Sequence, residues 1–384
     1  KINAATGVVS GTPTKPGEYE VTFMATSSMN SKSNDTVKAT IKVENYVDGL
    51  IPVEDHYGPY TPGVSYTVTI PAAAGCTVSG LPTGMKWTAK DVKAKDGTVT
   101  PLANSVYGIP TKPGKYTVYF TKSVSEINEQ GRPVKVTHTA TATFEVSGYP
   151  TITILPSLAI AGSEPVAVTE GAELSFFVGV KQSFAINLAG TLDGVDTTVS
   201  VKGLPTGLKL VKKAVYVDPA AKKKVVDHYE YLIEGVPTKA SSLDKQKNVV
   251  PSHVTLTASN KYKWSGTFAF DITVVALPTW AYGTFNGGNT NGMATLTVSN
   301  VGKLSGKWMS EGLTWSLSAA SFDAYISSEQ MYVATVIGKS GKLAMTNEIE
   351  VTESGVVASG ARGEDAASTA WEAWRNGWKE EPLK

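Results

Sequence analysis

"GTPTKPGEYEVTF", Gly11 to Phe23, decides the fold, because the chain writes it more than once. Pro16 presets φ to about −65° and Gly17 accepts a positive φ, the pair that a type II turn uses. Beyond the turn, Tyr19, Val21 and Phe23 alternate with Glu18, Glu20 and Thr22. That period of two marks a strand with one face in a core and the other in water. A second copy, "SVYGIPTKPGKYTVYFTKSVS", runs from Ser105 to Ser125 and repeats the alternation at Tyr116, Val118 and Phe120. A third, "LIEGVPTKASSLDKQKNVVPSHVTLTASN", spans Leu232 to Asn260 with its turn expanded. There Ser252 takes the place of the tyrosine, so a Tyr hydroxyl tying that corner is not expected in every copy.

Upstream of the second and third copies sits another shared element, "VSGLPTGMKW" (Val78 to Trp87) and "VKGLPTGLKL" (Val201 to Leu210). Its glycines and proline impose a sharp turn, while Leu204 and Leu208 supply buried anchors. A period of this kind has to be settled before any single motif is believed.

These elements resemble the immunoglobulin-like repeats of bacterial surface proteins, which are similar to the cadherin-like domains of dystroglycan. The matching residues are "GLPTGLKL…GVPT" and "ATGVVSGTPTKPGEYEVTFMAT". The resemblance covers about two-thirds of the chain. It implies a seven-stranded β-sandwich per repeat, used in tandem for adhesion or as a spacer. Calcium rigidifies related cadherin-type arrays through clustered acids at domain junctions. The junctions "KVENYVDGLIPVEDHYG" and "EVSGYPTITILPS" have no DxD or DxNDN cluster, so neither calcium nor any other cofactor is expected. The GLP-to-GxP spacing is 28 residues from Gly80 to Gly108 and 32 from Gly203 to Gly235, and only ten residues precede Gly11. The expectation is a first domain with its front strands missing, at residues 1–46. A neighbouring domain, another chain or a cleaved N-terminal piece would complete it.

Composition bounds the function. At 384 residues the chain exceeds what one core organises. Its 35 basic and 34 acidic residues leave a net charge of +1, which argues against a nucleic-acid partner. The densest basic run, Lys222 to Lys224, falls between two strand-like segments and reads as a solvated hairpin tip. The single cysteine, Cys76, excludes an internal disulfide framework and reads as a small core residue. No stretch reaches the roughly 20 apolar residues of a membrane span. No charged-then-apolar leader opens the chain at Lys1, so a signal peptide is expected upstream or already removed. The cysteine count does not fix the compartment; the resemblance implies an extracellular one, at a bacterial cell surface or secreted.

After "FDITVVALP" the pattern changes. Units such as "ATLTVSNVGKLSGKWM" and "MYVATVIGKSGKLAM" alternate around turn glycines Gly302 and Gly341, which predicts an up-and-down meander or closed barrel. "GTFNG…GMATLTVSNVGKLSGKW" resembles a C-terminal module that follows such repeats in some bacterial secreted proteins. The tail "EDAASTAWEAWRNGWKEE" predicts a short helix capped by Ser368 or Thr369, with Trp371, Trp374 and Trp378 on one face. Six of the eight tryptophans lie in this last region. They either fill its core or present an aromatic surface to a partner or glycan.

Chemistry is sparse. Four histidines, His56, His138, His228 and His253, have no HxxxH or HxH spacing, so no metal site is expected. No GxSxG, P-loop or GxGxxG motif is present. Adjacent acids such as Glu54 with Asp55, or Glu364 with Asp365, read as solvated loop residues rather than a glycosidase pair. The sequence therefore predicts no catalytic residue. Candidate ligand-binding residues are Trp280, Trp308, Trp371, Trp374 and Trp378, with His56, Tyr57 and Tyr60 in the aromatic and polar stretch "EDHYGPYTPG".

The resulting expectation is an all-β chain of tandem Ig-like or cadherin-like β-sandwiches, followed by a small β-meander or barrel with a short C-terminal helix. The parts are residues 1–46, 47–148, 149–277 and 278–384. The expected role is non-catalytic adhesion or glycan or host-protein binding. The alternatives are a structural stalk and, more weakly, an accessory region of a secreted carbohydrate-active enzyme.

Overall fold

The computed structural model describes residues 2–3, 6–10, 17–27, 33–43, 51, 53–127, 130–159, 164–218, 220, 224–361 and 370–375. The chain divides into two compact units, Lys1–Pro150 and Thr151–Lys384. Among the described residues the regular elements are strands, apart from two short 3-10 turns at Pro71–Ala73 and Thr279–Ala281.

The first unit opens with an antiparallel hairpin, β1 (Gly17–Thr26) and β2 (Asn34–Val43), that sets Tyr19 opposite Ile41 and Phe23 opposite Val37. There follow β3 (His56–Tyr60), β4 (Tyr66–Thr69), β5 (Thr77–Ser79), β6 (Met85–Thr88), the small hairpin β7 (Val92–Lys93) and β8 (Val99–Thr100), β9 (Ser105–Gly108), β10 (Gly114–Ile127) and β11 (Pro133–Val146). They form two sheets, β3-β11-β10-β5 and β4-β9-β6, with β3 parallel to β11. Val118, Phe120, Ala142 and Phe144 from one sheet meet Met85 and Val106 from the other in a shared core that also holds Cys76. This is the seven-stranded sandwich that the resemblance implies.

The repeat makes β10–β11 the counterpart of β1–β2. The residues at matching positions have opposite surroundings. Val118 and Phe120 are fully buried, whereas Val21 and Phe23 are only half-buried and Val37 is 62% exposed. Among the described residues, β1–β2 is a two-stranded sheet with no further strand paired to it. The turn expected at Pro16–Gly17 lies outside the described residues. At its repeat Gly114 has φ 145°, wider than the roughly +80° of a type II turn, and the Tyr116 hydroxyl donates to the Lys112 carbonyl at 3.0 Å.

The second unit begins with β12 (Thr153–Leu158), β13 (Val166–Ala167), β14 (Glu173–Phe177), β15 (Gln182–Ala189), β16 (Thr197–Lys202), β17 (Leu208–Tyr216), β18 (Val226–Gly235), β19 (Ser252–Asn260) and β20 (Ser265–Val275). Sheets β13-β12-β15-β18-β17 and β14-β20-β19-β16 enclose Phe176, Phe184 and Phe270. β17 and β18 are the hairpin predicted around the basic run, although Lys222 and Lys223 lie outside the described residues.

The shared GLPTG element has the same task in both sandwiches. The Gly84 carbonyl accepts the Ile109 N–H at 3.2 Å, and the Gly207 carbonyl accepts the Val236 N–H at 3.1 Å. One step earlier, Thr83 accepts from Thr111 at 3.0 Å and Thr206 from Thr238 at 3.1 Å. The GLPTG and GxPT segments therefore recur together because they clasp each other. Gly84 and Gly207 have φ of 95° and 100°, and a β-carbon on either would overlap the carbonyl oxygen across the clasp.

The remaining strands are β21 (Gly283–Asn289), β22 (Gly292–Val298), β23 (Leu304–Ser310), β24 (Leu313–Ala319), β25 (Ala324–Ile326), β26 (Met331–Ser340), β27 (Leu343–Thr352), β28 (Gly355–Ala361) and β29 (Trp371–Arg375). All but β25 form a closed antiparallel barrel of eight strands, with β24 pairing β26 and β21 pairing β29. Alternate residues fill its interior, as on Leu296, Val298, Ala334, Val336, Ile349 and Val351.

The tail corrects one expectation. Trp371–Arg375 is a strand, not a helix. Closure requires a segment between β21 and β28, and the backbone hydrogen bonds made there outweigh a local helical pattern. On a strand, residues three apart face opposite sides, so Trp371 points inward at 2% exposure and Trp374 outward at 57%. Ser368, Thr369 and Trp378 lie outside the described residues.

Candidate functional site

The nominated aromatic residues do not converge. Trp308 and Trp371 stack in the barrel interior with ring centroids 6.0 Å apart, and Trp315 is buried beside them on the strand register. Trp280 is half-buried against Tyr332 at 5.7 Å. The indole N–H of Trp371 is buried and has no partner among the described residues. Trp374 is the one nominated tryptophan that stands in solvent among the described residues.

The stretch around Tyr57 is divided in the same way. Tyr60 is 6% exposed and packs on Tyr66 and Phe144. Burial, with Tyr57, Tyr66 and Glu54 nearby, pushes its phenol up to about 12. Tyr57 stacks on Phe144 at 4.7 Å, and its hydroxyl oxygen accepts the Glu54 N–H at 3.2 Å. Of the three nominated residues here, His56 faces outward, 3.6 Å from the Glu145 carboxylate. This stretch therefore packs its two tyrosines against a sandwich core and leaves Glu54, Asp55 and His56 exposed.

Each of the other histidines also lies beside an acid. His138 approaches Glu126 at 2.7 Å, and His228 and His253 approach Asp227 and Asp271 at 2.8 Å each. Among the described residues, no three His, Cys, Asp or Glu side chains gather as metal ligands would. Glu54 and Asp55 are both exposed, and Glu364 and Asp365 lie outside the described residues.

What sequence reasoning missed is the junction between the β12–β20 sandwich and the barrel. Val180 and Phe322 form a parallel β-bridge. Around it, Phe322 donates its N–H to the Gly179 carbonyl at 2.8 Å and accepts the Lys181 N–H at 2.9 Å. Phe322 is fully buried, and Phe177 meets Tyr325 with ring centroids 4.1 Å apart. Gly179 and Gly302 touch through their backbones. No local pattern marks these residues, because they come from segments far apart in sequence and acquire their role only on docking.

The family match falls on the first copy of the repeat. Residues 1–43 match the family described as "Putative Ig domain". No curated protein matches the chain. Among solved structures, the first two Ig domains of DIP-gamma align at 11% identity over 56% of this chain and 91% of that one, with a TM-score of 0.19. The human desmocollin-1 ectodomain aligns at 11% identity over 94% and 80%, with a TM-score of 0.18. The architecture of this chain rests on the strand pairing described above.

Proposed function

We propose that this chain is a non-catalytic, extracellular binding module of a bacterial surface or secreted protein. In this reading residues 1–46, 47–148 and 149–277 are Ig-like modules and residues 278–384 are the terminal recognition domain. The observation that carries it is apolar surface left on the outer wall of the barrel. Met309, Met293, Gly288, Glu372 and Val357 follow one another across neighbouring strands. Met293 is 67% exposed, and Trp374, the next outward residue of β29 after Glu372, extends the same surface. Apolar side chains grouped on a barrel wall fit a partner better than they fit water, and tryptophan and methionine are favoured where recognition is concentrated. The partner class is a glycan or a cell-surface protein.

The open face of β1–β2 supports a second contact in the same reading. Its apolar row Tyr19, Val21, Phe23, Val37 and Ile41 matches a row that the β3–β11 sandwich buries. Completion by strands of a neighbouring domain, another chain or a separate N-terminal piece fits that row. A spacer reading draws on the bridge between Val180 and Phe322, which joins the barrel to its neighbour.

The test is binding of the intact chain and of Trp374→Ala to a panel of glycans and host matrix proteins. Binding by the intact chain that falls in the variant supports recognition through the barrel wall. Binding to no member of the panel favours the spacer.

A further inference from the structure

The junction that joins the β12–β20 sandwich to the barrel also collects lysines. A cleft of about 1110 Å³ opens there to solvent. Lys181, Lys209 and Lys213 line it from the sandwich, and Lys303 and Lys339 from the barrel. Two carboxylates share the cleft, and both are engaged. Glu234 lies 3.4 Å from the Lys213 ammonium. Asp323 Oδ2 accepts the Thr335 N–H at 2.6 Å. Among the described residues, the ammonium groups of Lys181, Lys209, Lys303 and Lys339 have no carboxylate within ion-pair distance.

We infer that this cleft binds an anionic glycan, one carrying sulfate esters or carboxylates. The inference rests on the binding reading above and gives that reading a second, chemically defined site. Gathering like charges in a concavity costs free energy, and a spacer gains nothing from it. With five ammonium groups against two carboxylates the lining is net positive, and a concave wall with an excess of one sign focuses potential on an incoming ion of the other. Ser183, Ser318 and Ser321 add hydroxyls to the lining, while Gly235 and Ala319 keep it low enough for a chain to lie along it. No aromatic ring lines the cleft, so it offers nothing for nucleic-acid bases to stack on. Ammonium groups interleaved with hydroxyls instead match a polyhydroxylated anion. The backbone bridge between Val180 and Phe322 joins the two walls, so the strands that carry the lysines are brought together before a ligand arrives.

Titration calorimetry of the full chain tests this with three probes of equal length: a heparin-type sulfated oligosaccharide, an oligouronate and a neutral gluco-oligosaccharide. The anionic probes should bind at least about tenfold more tightly than the neutral one, and added salt should weaken them. Replacing Lys209→Ser, Lys303→Ser and Lys339→Ser together should reduce anionic binding at least about tenfold. The same charge removed elsewhere, by Lys86→Ser, Lys93→Ser and Lys135→Ser, should leave it unchanged. All six residues are exposed, so both variants should keep the thermal midpoint of the parent. Equal binding of the neutral probe, or undiminished binding by the cleft variant, overturns the inference. If a panel ligand still binds through Trp374 in that case, the broader reading stands without the cleft. If neither the probes nor any panel ligand binds, both fall.

Discussion

Gly179 and Gly302 meet backbone to backbone: a β-carbon on Gly179 would lie 2.5 Å from the Gly302 Cα. Both have positive φ, 81° and 77°, so each turn needs glycine for its own shape and the junction needs both for their approach.

Gly179→Ala should therefore loosen the junction as well as strain its turn. We expect a loss of about 2–4 kcal/mol, the range for strain combined with overpacking. In calorimetry of the intact chain the unfolding of the barrel and its neighbour should become less concerted, seen as a broadened or split transition. A sharp, unshifted transition would show that the two domains do not depend on this contact.

The GLPTG clasp predicts matched effects in two domains. Gly84→Ala and Gly207→Ala should each cost about 2–4 kcal/mol, because the new β-carbon displaces a carbonyl at positive φ. Gly97→Ala is the control, at φ 89° with nothing within 4 Å, and should cost about 1 kcal/mol. Urea midpoints for the three variants check the order.

Phe120→Ala and Phe23→Ala alter equivalent positions of the repeat. The first empties a fully buried site and should cost about 3–5 kcal/mol. The second alters a half-buried side chain on an open face and should cost about 1 kcal/mol or less in this chain. Equal losses would mean that β1–β2 buries its face as the β3–β11 sandwich does.

Trp371→Ala and Trp374→Ala should separate core from surface in the same strand. Trp371 is stacked on Trp308 inside the barrel, and its loss should cost about 3–5 kcal/mol. Trp374 should change stability by less than about 0.5 kcal/mol while reducing ligand binding. A stability loss at Trp374 as large as that at Trp371 would return it to the core.

Stability should fall at alkaline pH through two buried phenols. Burial raises Tyr60 from 10.0 to about 12 and raises Tyr332 as well. Both contribute fully below pH 10. As pH rises from 10 toward 12, the unfolded chain releases protons that the folded chain retains, so stability declines. Tyr60→Phe with Tyr332→Phe should flatten that decline in pH-dependent urea unfolding. An unchanged slope would assign it to other groups.

The repeat, its strands and the β-meander or barrel pattern were legible in the sequence, because alternation and turn glycines act over a few residues. Tyr19, Val21 and Phe23 announce an amphipathic strand wherever they stand. Tertiary structure decided which side of that strand finds a partner: the same pattern is buried at Phe120 and open at Phe23, since burial depends on a second sheet that local sequence does not encode. It also decided the tail, where Trp371 and Trp374 fit a helix by spacing until barrel closure supplied strand partners on both sides. The lysine cleft is the clearest case. Lys181, Lys209, Lys303 and Lys339 are ordinary surface residues spread over more than a hundred positions, and the docking of Val180 with Phe322 and of Gly179 with Gly302 brings them to one opening.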